Sequence, residues 1–514
     1  MEPDAAPLVH SGMINPQKAK PARPLVDLSI MALVLVLGFI PAVQAGAQDA
    51  YDRYFVLELS GQRSGWMHES TKIEDDHIVT TSTMQFEILR GSTTIEISME
   101  SEFVETLDNT PISMRSVQQL GSIPMTTMVT FGEHELKQTS EQNGQKTTRT
   151  FPMPEGVWFT PGEADEYLRR RLEAGAETIE VRSIDPLMGI NPVLLTYSDF
   201  QPGVIEVFGR NVPAIQTKVV SSAAPGIPSE EYLDERGRLL RSTTHIGGMT
   251  IVALAADKAL ALADLDPPEV MQSTFISPKG NIDRPRKTEQ ASYILSVPDG
   301  VLPELPDLPT QHFERIDKRS GRLVVTVESE SAGTPPDDAC REPSAMVDSA
   351  DPTILELADR AVPAEDAPEP VRAEAMRRFV YDHIDEKSLG VGLASASEVA
   401  RTGVGDCTEH ATLLAALLRA DGIPSRTVSG LVYVHEFLDQ DDIFGYHMWT
   451  QGWIDDGSGP RWIDLDATLG PRTQFDATHI ALSVSPLADG DDNNTMLALV
   501  PLLGRLNIEI ESSE

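Results

Sequence analysis

The chain has 514 residues, with 79 Asp plus Glu against 41 Lys plus Arg and a formal net charge of −38. So acidic a surface repels nucleic-acid phosphates and an anionic bilayer, and it attracts cationic partners such as lysine-rich proteins. Length and composition predict a globular protein of two or three domains rather than a fibrous or disordered one.

The N-terminus departs from this pattern. Leu28–Ala42 (LSIMALVLVLGFIPA) is uncharged and mostly apolar, follows Lys18, Lys20 and Arg23, and precedes the small residues Ala45, Gly46 and Ala47. Residues 1–47 therefore read as an export signal cleaved after Ala45 or Ala47. The run is short against the roughly 20 residues of a bilayer-spanning helix, which makes an uncleaved N-terminal anchor the alternative. A start at Met13 keeps the basic flank and a start at Met31 destroys it. The expected location is periplasmic or secreted. With only Cys340 and Cys407 there is no disulfide scaffold.

Residues 48–270 are expected to be β-rich. Tyr51–Ser60, His77–Leu89 and Thr93–Thr106 alternate with rough period two, and RSVQQLG, TTMVTFG and HELKQTS continue the pattern, with Asn143-Gly144 as a hairpin turn. One helix interrupts, capped by Thr160 with Pro161 in its first turn and stopped at Gly175. Strands resume at Thr178–Val181, Val193–Tyr197, Val204–Phe208, Thr217–Ser221, Tyr232–Asp234 and Leu239–Thr244. The alternation fits a curved antiparallel sheet or open barrel with one buried face. No catalytic constellation falls here, and Arg169, Arg170 and Arg171 read as a solvated helix face.

A smaller β section covers 271–331, with strands at Thr288–Gly300 and Gly321–Ser331. Residues 332–350, rich in Asp, Pro, Ser and Ala, read as a linker.

From 351 to 480 the pattern turns α+β. Asp351 caps a helix with Pro352 in its first turn, and Val371–Ile384 carries an apolar stripe of Ala375, Met376, Phe379 and Val380. After Asp406 the residues Ala411, Leu414, Leu417 and Leu418 mark a helix that Gly422 ends. Cys407 thus sits at a helix N-terminus, where backbone amides and the dipole favour a thiolate; alone, a cysteine there equally suits a buried apolar niche. Asp406 and Glu409 would oppose the thiolate unless they face solvent or bind a cationic substrate group. Gly445–Thr468 reads as a hairpin around DDGSG. Its first strand puts His447, Trp449, Gln451 and Trp453 on one face, and the second carries Trp462, Asp464 and Asp466. The tryptophans suit either sheet packing or an apolar substrate groove. Cys407 as nucleophile, His447 as base and Asp466 as its orienting carboxylate, with Asp464 as the alternative, form the candidate catalytic set. No metal or cofactor is expected. Cys407, His410 and His435 lack zinc-site spacing, Asp439, Asp441 and Asp442 do not match an EF-hand, and there is no nucleotide loop.

Three blocks in this order carry a resemblance: Gly405-Asp406-Cys407-Thr408-Glu409-His410-Ala411 with the helix end through Arg426; Tyr446-His447-Met448-Trp449-Thr450; and Trp462-Ile463-Asp464-Leu465-Asp466-Ala467-Thr468. The segment resembles the bacterial transglutaminase-like superfamily, related in fold to papain-type cysteine proteases. Ala467 stands where the family often has proline. The resemblance implies a papain-like Cys-His-Asp module over 351–480. It also implies an acyl-cysteine intermediate formed on a protein or peptide amide and resolved by water or an amine. It extends equally to catalytically silent members, so a binding or scaffold protein is the alternative. The remaining 481–514 are expected to end in a strand at Leu506–Ile510 that packs back onto the module.

Overall fold

The computed structural model describes residues 51–514 except 92, 120–123, 143–144, 208, 247–248, 299, 330, 365, 389–393 and 489–501. The expected export signal and the Asn143-Gly144 turn lie outside the described residues. Among those described, no helix is long and apolar enough to cross a membrane.

The N-terminal region is one antiparallel sheet of fourteen strands. Eight form a meander: β1 (Tyr51–Leu59), β2 (Gln62–Glu74), β3 (His77–Arg90), β4 (Thr93–Thr106), β5 (Pro111–Gln119), β6 (Met125–Phe131), β7 (Glu135–Gln142) and β8 (Gln145–Pro152). Helix α1 (Pro161–Glu173) follows, with the Thr160 hydroxyl accepting from the Glu163 amide as its cap. Then come β9 (Ile179–Ser183), β10 (Val193–Val207), β11 (Arg210–Ser221), β12 (Ser229–Leu233), β13 (Leu239–Ile246) and β14 (Met249–Ala256). The two meanders join where β1 pairs with β14. The sheet curls, since Ile184 beyond β9 packs with Phe103, Met114, Val129 and Leu136 from β4 to β7. Along β3 the buried residues are Ile78, Thr80, Ser82, Met84, Phe86, Ile88 and finally Arg90, every second one.

Three details differ from the sequence expectation. The strands expected at Val193–Tyr197 and Val204–Phe208 are one strand, β10, with a register irregularity between Ser198 and Gln201. Strand β2 was not anticipated, because Glu69 points inward with Met67 and Thr71 and blurs its alternation. Strand β14 was hidden for the opposite reason: MTIVALAA is apolar at nearly every position.

A second sheet contains β15 (Gln290–Ser296), β16 (Gln311–Asp317) and β17 (Ser320–Thr326), in the order β16-β17-β15, and β15 also pairs with a strand at Asn507–Ser513. That terminal strand was expected to pack on the module; its backbone instead completes the small sheet. The segment 332–350 is no free linker. Met346 and Val347 are buried in the module's core, and the Ala396 amide donates to the Met346 carbonyl at 2.9 Å.

The module itself holds helices α2 (Pro352–Ala361), α3 (Glu369–His383), α4 (Ala396–Thr402) and α5 (Cys407–Ala420). The two-residue strands β18 (Glu386–Lys387) and β19 (Val404–Gly405) pair just before α5. Its sheet runs β22-β21-β20-β23, made of β20 (Ser425–Phe437), β21 (Gln440–Asp455), β22 (Pro460–Leu465) and β23 (His479–Ser485); the Asn507–Ser513 strand is β24. Every residue of α5 except Ala420 is buried. One apolar core joins Phe86 and Ile97 of the large sheet, Tyr293 and Leu323 of the small one, and Cys407, Phe444 and Met448 of the module.

Candidate active site

The site is assembled at the start of α5. Asp406 caps the helix: its Oδ1 accepts from the Thr408 amide at 3.1 Å and hydroxyl at 2.8 Å. Glu409 folds back, accepting from the Asp406 amide at 2.9 Å and the Ala394 amide at 3.1 Å, which completes a capping box. Only glycine permits this at 405, because a Cβ there would lie 2.3 Å from that of Glu409. Both acids are fully buried, so neither faces solvent as the sequence allowed. Arg90, the last inward residue of β3, reaches across from the N-terminal sheet and sets its Nη1 3.3 Å from Asp406 Oδ2. Burial, and then Asp406 beside it, push the Glu409 carboxyl well above the usual range. Glu409 thus favours its neutral form while Asp406 is paired with Arg90, which relieves the like-charge opposition to a thiolate.

Cys407 has no solvent exposure. Its Sγ accepts from the Met448 amide on β21 at 2.9 Å. The sulfur therefore lies against the peptide that joins Met448 to His447. The His447 ring directs Nε2 to Asp466 Oδ2 at 3.0 Å. Against an ionised carboxylate Nε2 carries the proton, leaving Nδ1 as the lone-pair nitrogen. Nδ1 is buried and has no hydrogen-bond partner among the described residues. It is also the ring nitrogen nearer the backbone.

Asp466 lies just past the end of β22. Its Oδ1 accepts from the Thr468 amide at 2.8 Å and hydroxyl at 2.7 Å. Arg377 of α3 donates to the carbonyls of Asp466 and Leu469 at 3.2 and 2.7 Å, holding the turn that has Ala467 in place of proline. Burial works to raise the Asp466 carboxyl, but His447 and a second histidine outweigh it and hold it well below its ordinary value. Asp464 goes elsewhere, accepting from Trp449 Nε1 at 2.7 Å, Gln451 Nε2 at 2.8 Å and the Thr310 hydroxyl at 2.9 Å. Trp449 and Trp462 are buried in the packing of the sheet.

The second histidine, His479 at the start of β23, is the residue that sequence reasoning missed. Its Nε2 meets the same Asp466 Oδ2 at 3.3 Å, and its Nδ1 meets the Asp476 carbonyl at 3.0 Å. A signal was present: Asp-Ala-Thr occurs at 466–468 and again at 476–478, with the second copy followed directly by His479. In both copies the threonine amide and hydroxyl donate to the aspartate Oδ1. Burial would lower the His479 imidazole; Asp476 first, and Asp466 with it, raise it to about 9.

His447, Asp466 and His479 place possible metal-ligand atoms within 4.8 Å of one another. They do not suit a metal. A carbonyl oxygen only accepts and the carboxylate accepts, so both His479 nitrogens must donate, leaving that ring no lone pair. His410 is buried with Nδ1 on the Asp406 carbonyl, and burial lowers it to about 4. His435 sits at the surface against Asp442 at 2.8 Å, and Asp442 also accepts from the Tyr433 hydroxyl.

With this geometry in view, one comparison is decisive. The model of the family described as the Transglutaminase-like superfamily matches residues 356–467. These residues are a transglutaminase-like core. The match takes in α5, β20, β21, β22 and Asp466, and it ends twelve residues before His479. Solved structures are similar in part. A β-barrel-like protein of unknown function from Brucella abortus is 12% identical, with 42% of this chain and 98% of that one covered and a TM-score of 0.31. A candidate cysteine protease from Cytophaga hutchinsonii is 16% identical, covering 44% and 88%, with a TM-score of 0.26. A candidate protease from Parabacteroides distasonis is 12% identical, covering 68% and 63%, with a TM-score of 0.17. No curated protein matches the chain by sequence. The match to the Transglutaminase-like superfamily is confined to residues 356–467, and the chain's other regions lie outside it.

Proposed function

We propose that the protein is an exported thiol enzyme acting on protein or peptide amides, with Cys407 as nucleophile, His447 as general base and acid, and Asp466 as the group that orients His447. The observation that carries this reading is the division of labour at His447: Nε2 is committed to Asp466, while Nδ1 is unpartnered beside the peptide that holds the Cys407 sulfur. In the first step the thiol proton passes to Nδ1 and the sulfur attacks the carbonyl carbon. The C–N bond then breaks as the imidazolium returns that proton to the departing amine or ammonia. Water resolving the acyl-cysteine gives hydrolysis or deamidation, and an amine gives transfer. The net charge of −38 favours lysine-rich proteins as the amine source or the substrate. Export rests on the apolar run at Leu28–Ala42 and its basic flank.

The test incubates the protein with a glutamine- and lysine-containing protein mixture and a tagged primary amine, read by mass spectrometry beside Cys407→Ala. Amine incorporation, glutamine-to-glutamate conversion or new peptide termini should appear and should vanish in the variant. Products that persist unchanged in Cys407→Ala sink the reading. One observation favours a second reading, a catalytically silent binding module: Cys407 is 0% exposed and His447 2%. Iodoacetamide separates the two, because a silent module leaves Cys407 unlabelled in the folded protein at every pH.

A further inference from the structure

The module's four-stranded sheet has two outer edges, β23 and β22, and the chain treats them differently. An open strand edge presents unpaired amides and carbonyls, a template for any extended chain unless something covers it. On β23 the cover is a side chain. Gln311 of β16 accepts from the Ala481 amide at 2.8 Å and donates to the Ala481 carbonyl at 2.9 Å, standing in for a peptide group. On β22 the cover begins and then stops. The Trp462 amide points away from β21, to the Ala332 carbonyl at 3.4 Å. Ladder alternation turns the Trp462 carbonyl and both backbone groups of Asp464 the same way. None of these three groups has a hydrogen-bond partner among the described residues. They border a slot of about 460 Å³. Residues 461–464 of β22 form one wall, and Thr310, Glu328 and Ser329 stand across from them. Phe475 also lines the slot, with its ring 4.3 Å from His479 and 5.8 Å from Trp449.

We propose that this open edge of β22 is a docking site for an extended, lysine-bearing polypeptide segment, which pairs with Asp464 as an added strand and continues the pairing that Ala332 begins. That the docked chain is a substrate rests on the thiol-enzyme reading; the docking itself does not. Backbone geometry selects the shape. Outward groups that alternate along one strand are met in series only by a chain with the same two-residue repeat. Charge selects the side chain. Glu328 is exposed at the slot and has no ion pair among the described residues. The Asp464 carboxylate is met by three neutral donors, Trp449, Gln451 and Thr310, and is offset by Arg426, which stacks on the Trp462 ring at 3.9 Å. Arg461, the cation in the wall, is offset by Asp456 at 2.5 Å. Glu328 is therefore the uncompensated charge at the slot, in a chain whose net charge is −38. Position gives the consequence. Asp464 lies two residues before Asp466, and β22 lies beside the strand that carries His447. A protein docked on this edge is held next to the proposed catalytic set, and the slot selects among proteins by a segment remote from the reacting amide.

The test is fluorescence anisotropy on the whole protein carrying Cys407→Ala, so that no turnover consumes the probe. The probe is a fluorescein-labelled peptide of alternating lysine and valine. It should bind, and its glutamate–valine counterpart should not. Glu328→Lys should weaken binding by about threefold at low salt, an effect that fades at about 0.5 M salt. Surface charge alone could do as much, so the deciding arm is the peptide backbone. Methylating only the lysine amides, or only the valine amides, blocks one edge of the added strand. One of these two peptides should lose roughly tenfold in affinity and the other should keep it. Ser329→Trp fills the slot from outside any strand and should abolish binding, which keeps the test open should Glu328→Lys not fold. Absence of binding at about 1 mM protein, or equal behaviour of the two methylated peptides, overturns the proposal. Docking without any Cys407-dependent product in the unmodified protein keeps the β22 edge and sinks the enzyme reading; product without docking does the reverse.

Discussion

Carboxylates are buried in both halves of the molecule, and two in the sheet and two in the module are treated oppositely. In the N-terminal sheet Glu105 and Glu231 are 0% exposed, and burial raises their carboxyls to about 7 and about 8; hydroxyls and amides from Thr160, Gly162 and Ser229 soften the effect without reversing it. In the module Asp466 and Asp476 are 2% exposed, yet both are lowered, because His447, His479 and Arg286 outweigh the same desolvation. The comparison teaches that a cation at bonding distance, rather than depth, decides whether a buried acid is charged. Glu105 and Glu231 favour their neutral forms and Asp466 and Asp476 their anions, while Glu409 of the module, which has no cation at bonding distance among the described residues, is raised like the acids of the sheet.

The comparison breaks most severely if Asp466 loses its charge. Asp466→Asn removes the acceptor of two histidines and leaves His479 beside an amide. We expect turnover, or Cys407 alkylation where no substrate is known, to fall by about 10³- to 10⁴-fold, the scale seen when a triad carboxylate is neutralised. A loss under tenfold would show that Asp466 does not orient His447. Next comes Arg90→Met, which strands a buried Asp406. Removing one partner of a buried ion pair costs about 3–5 kcal/mol, measured by urea unfolding. A cost under about 1 kcal/mol would show that Arg90 does not balance Asp406.

A pH series sharpens the contrast. Glu231 binds its proton more tightly folded than unfolded, so its contribution is present below about 4.5 and is lost as pH rises toward about 8. Glu231→Gln should therefore raise Tm at pH 8 and change it little at pH 4.5. His479 is also raised, so its contribution is complete below 6.5 and fades as pH rises through about 9. Asp476 has the opposite sign, stabilising above the ordinary aspartate range and losing its effect as pH falls through its lowered value. His479→Gln should accordingly flatten the alkaline limb of the stability curve. The smallest effect is expected from Asp464→Asn. It loosens Trp449 and Gln451 but leaves His447 untouched, so labelling of Cys407 should change by less than about threefold while Asp466→Asn abolishes it; these two variants separate the acids that sequence alone left as alternatives.

Much of this site was readable because its chemistry is local in sequence. A capped helix start places Cys407, and a tight hairpin sets His447 against a neighbouring strand; both follow from residues within a few positions. What escaped was non-local. Arg90 ends a strand 316 residues before the acid it neutralises, and nothing in DDHIVTTSTMQFEILR distinguishes it from a strand-end cation facing water. His479 lay beyond the hairpin that was searched, and its role depends on two turns meeting around one carboxylate oxygen. Met346 and Val347 were lost in a stretch whose prolines and acids suggested a linker, although burial depends on what covers a segment rather than on its average composition. The curved sheet was legible as a class, but its strands were miscounted wherever an inward glutamate or an all-apolar run disguised the alternation.

The Arg90–Asp406 pair has a consequence for how the chain reaches its native state. Domains tend to fold in the order in which they are made, and contacts between distant residues form late. Strand β3 of the N-terminal sheet, which ends in Arg90, is synthesised long before α5, so a chain that folds in order would have that guanidinium available when Asp406 emerges. The helix that carries Cys407 would then meet its counter-charge as it docks. A module made without that sheet would have to bury Asp406 without its cation, and would expose the thiol through the slowest part of its assembly.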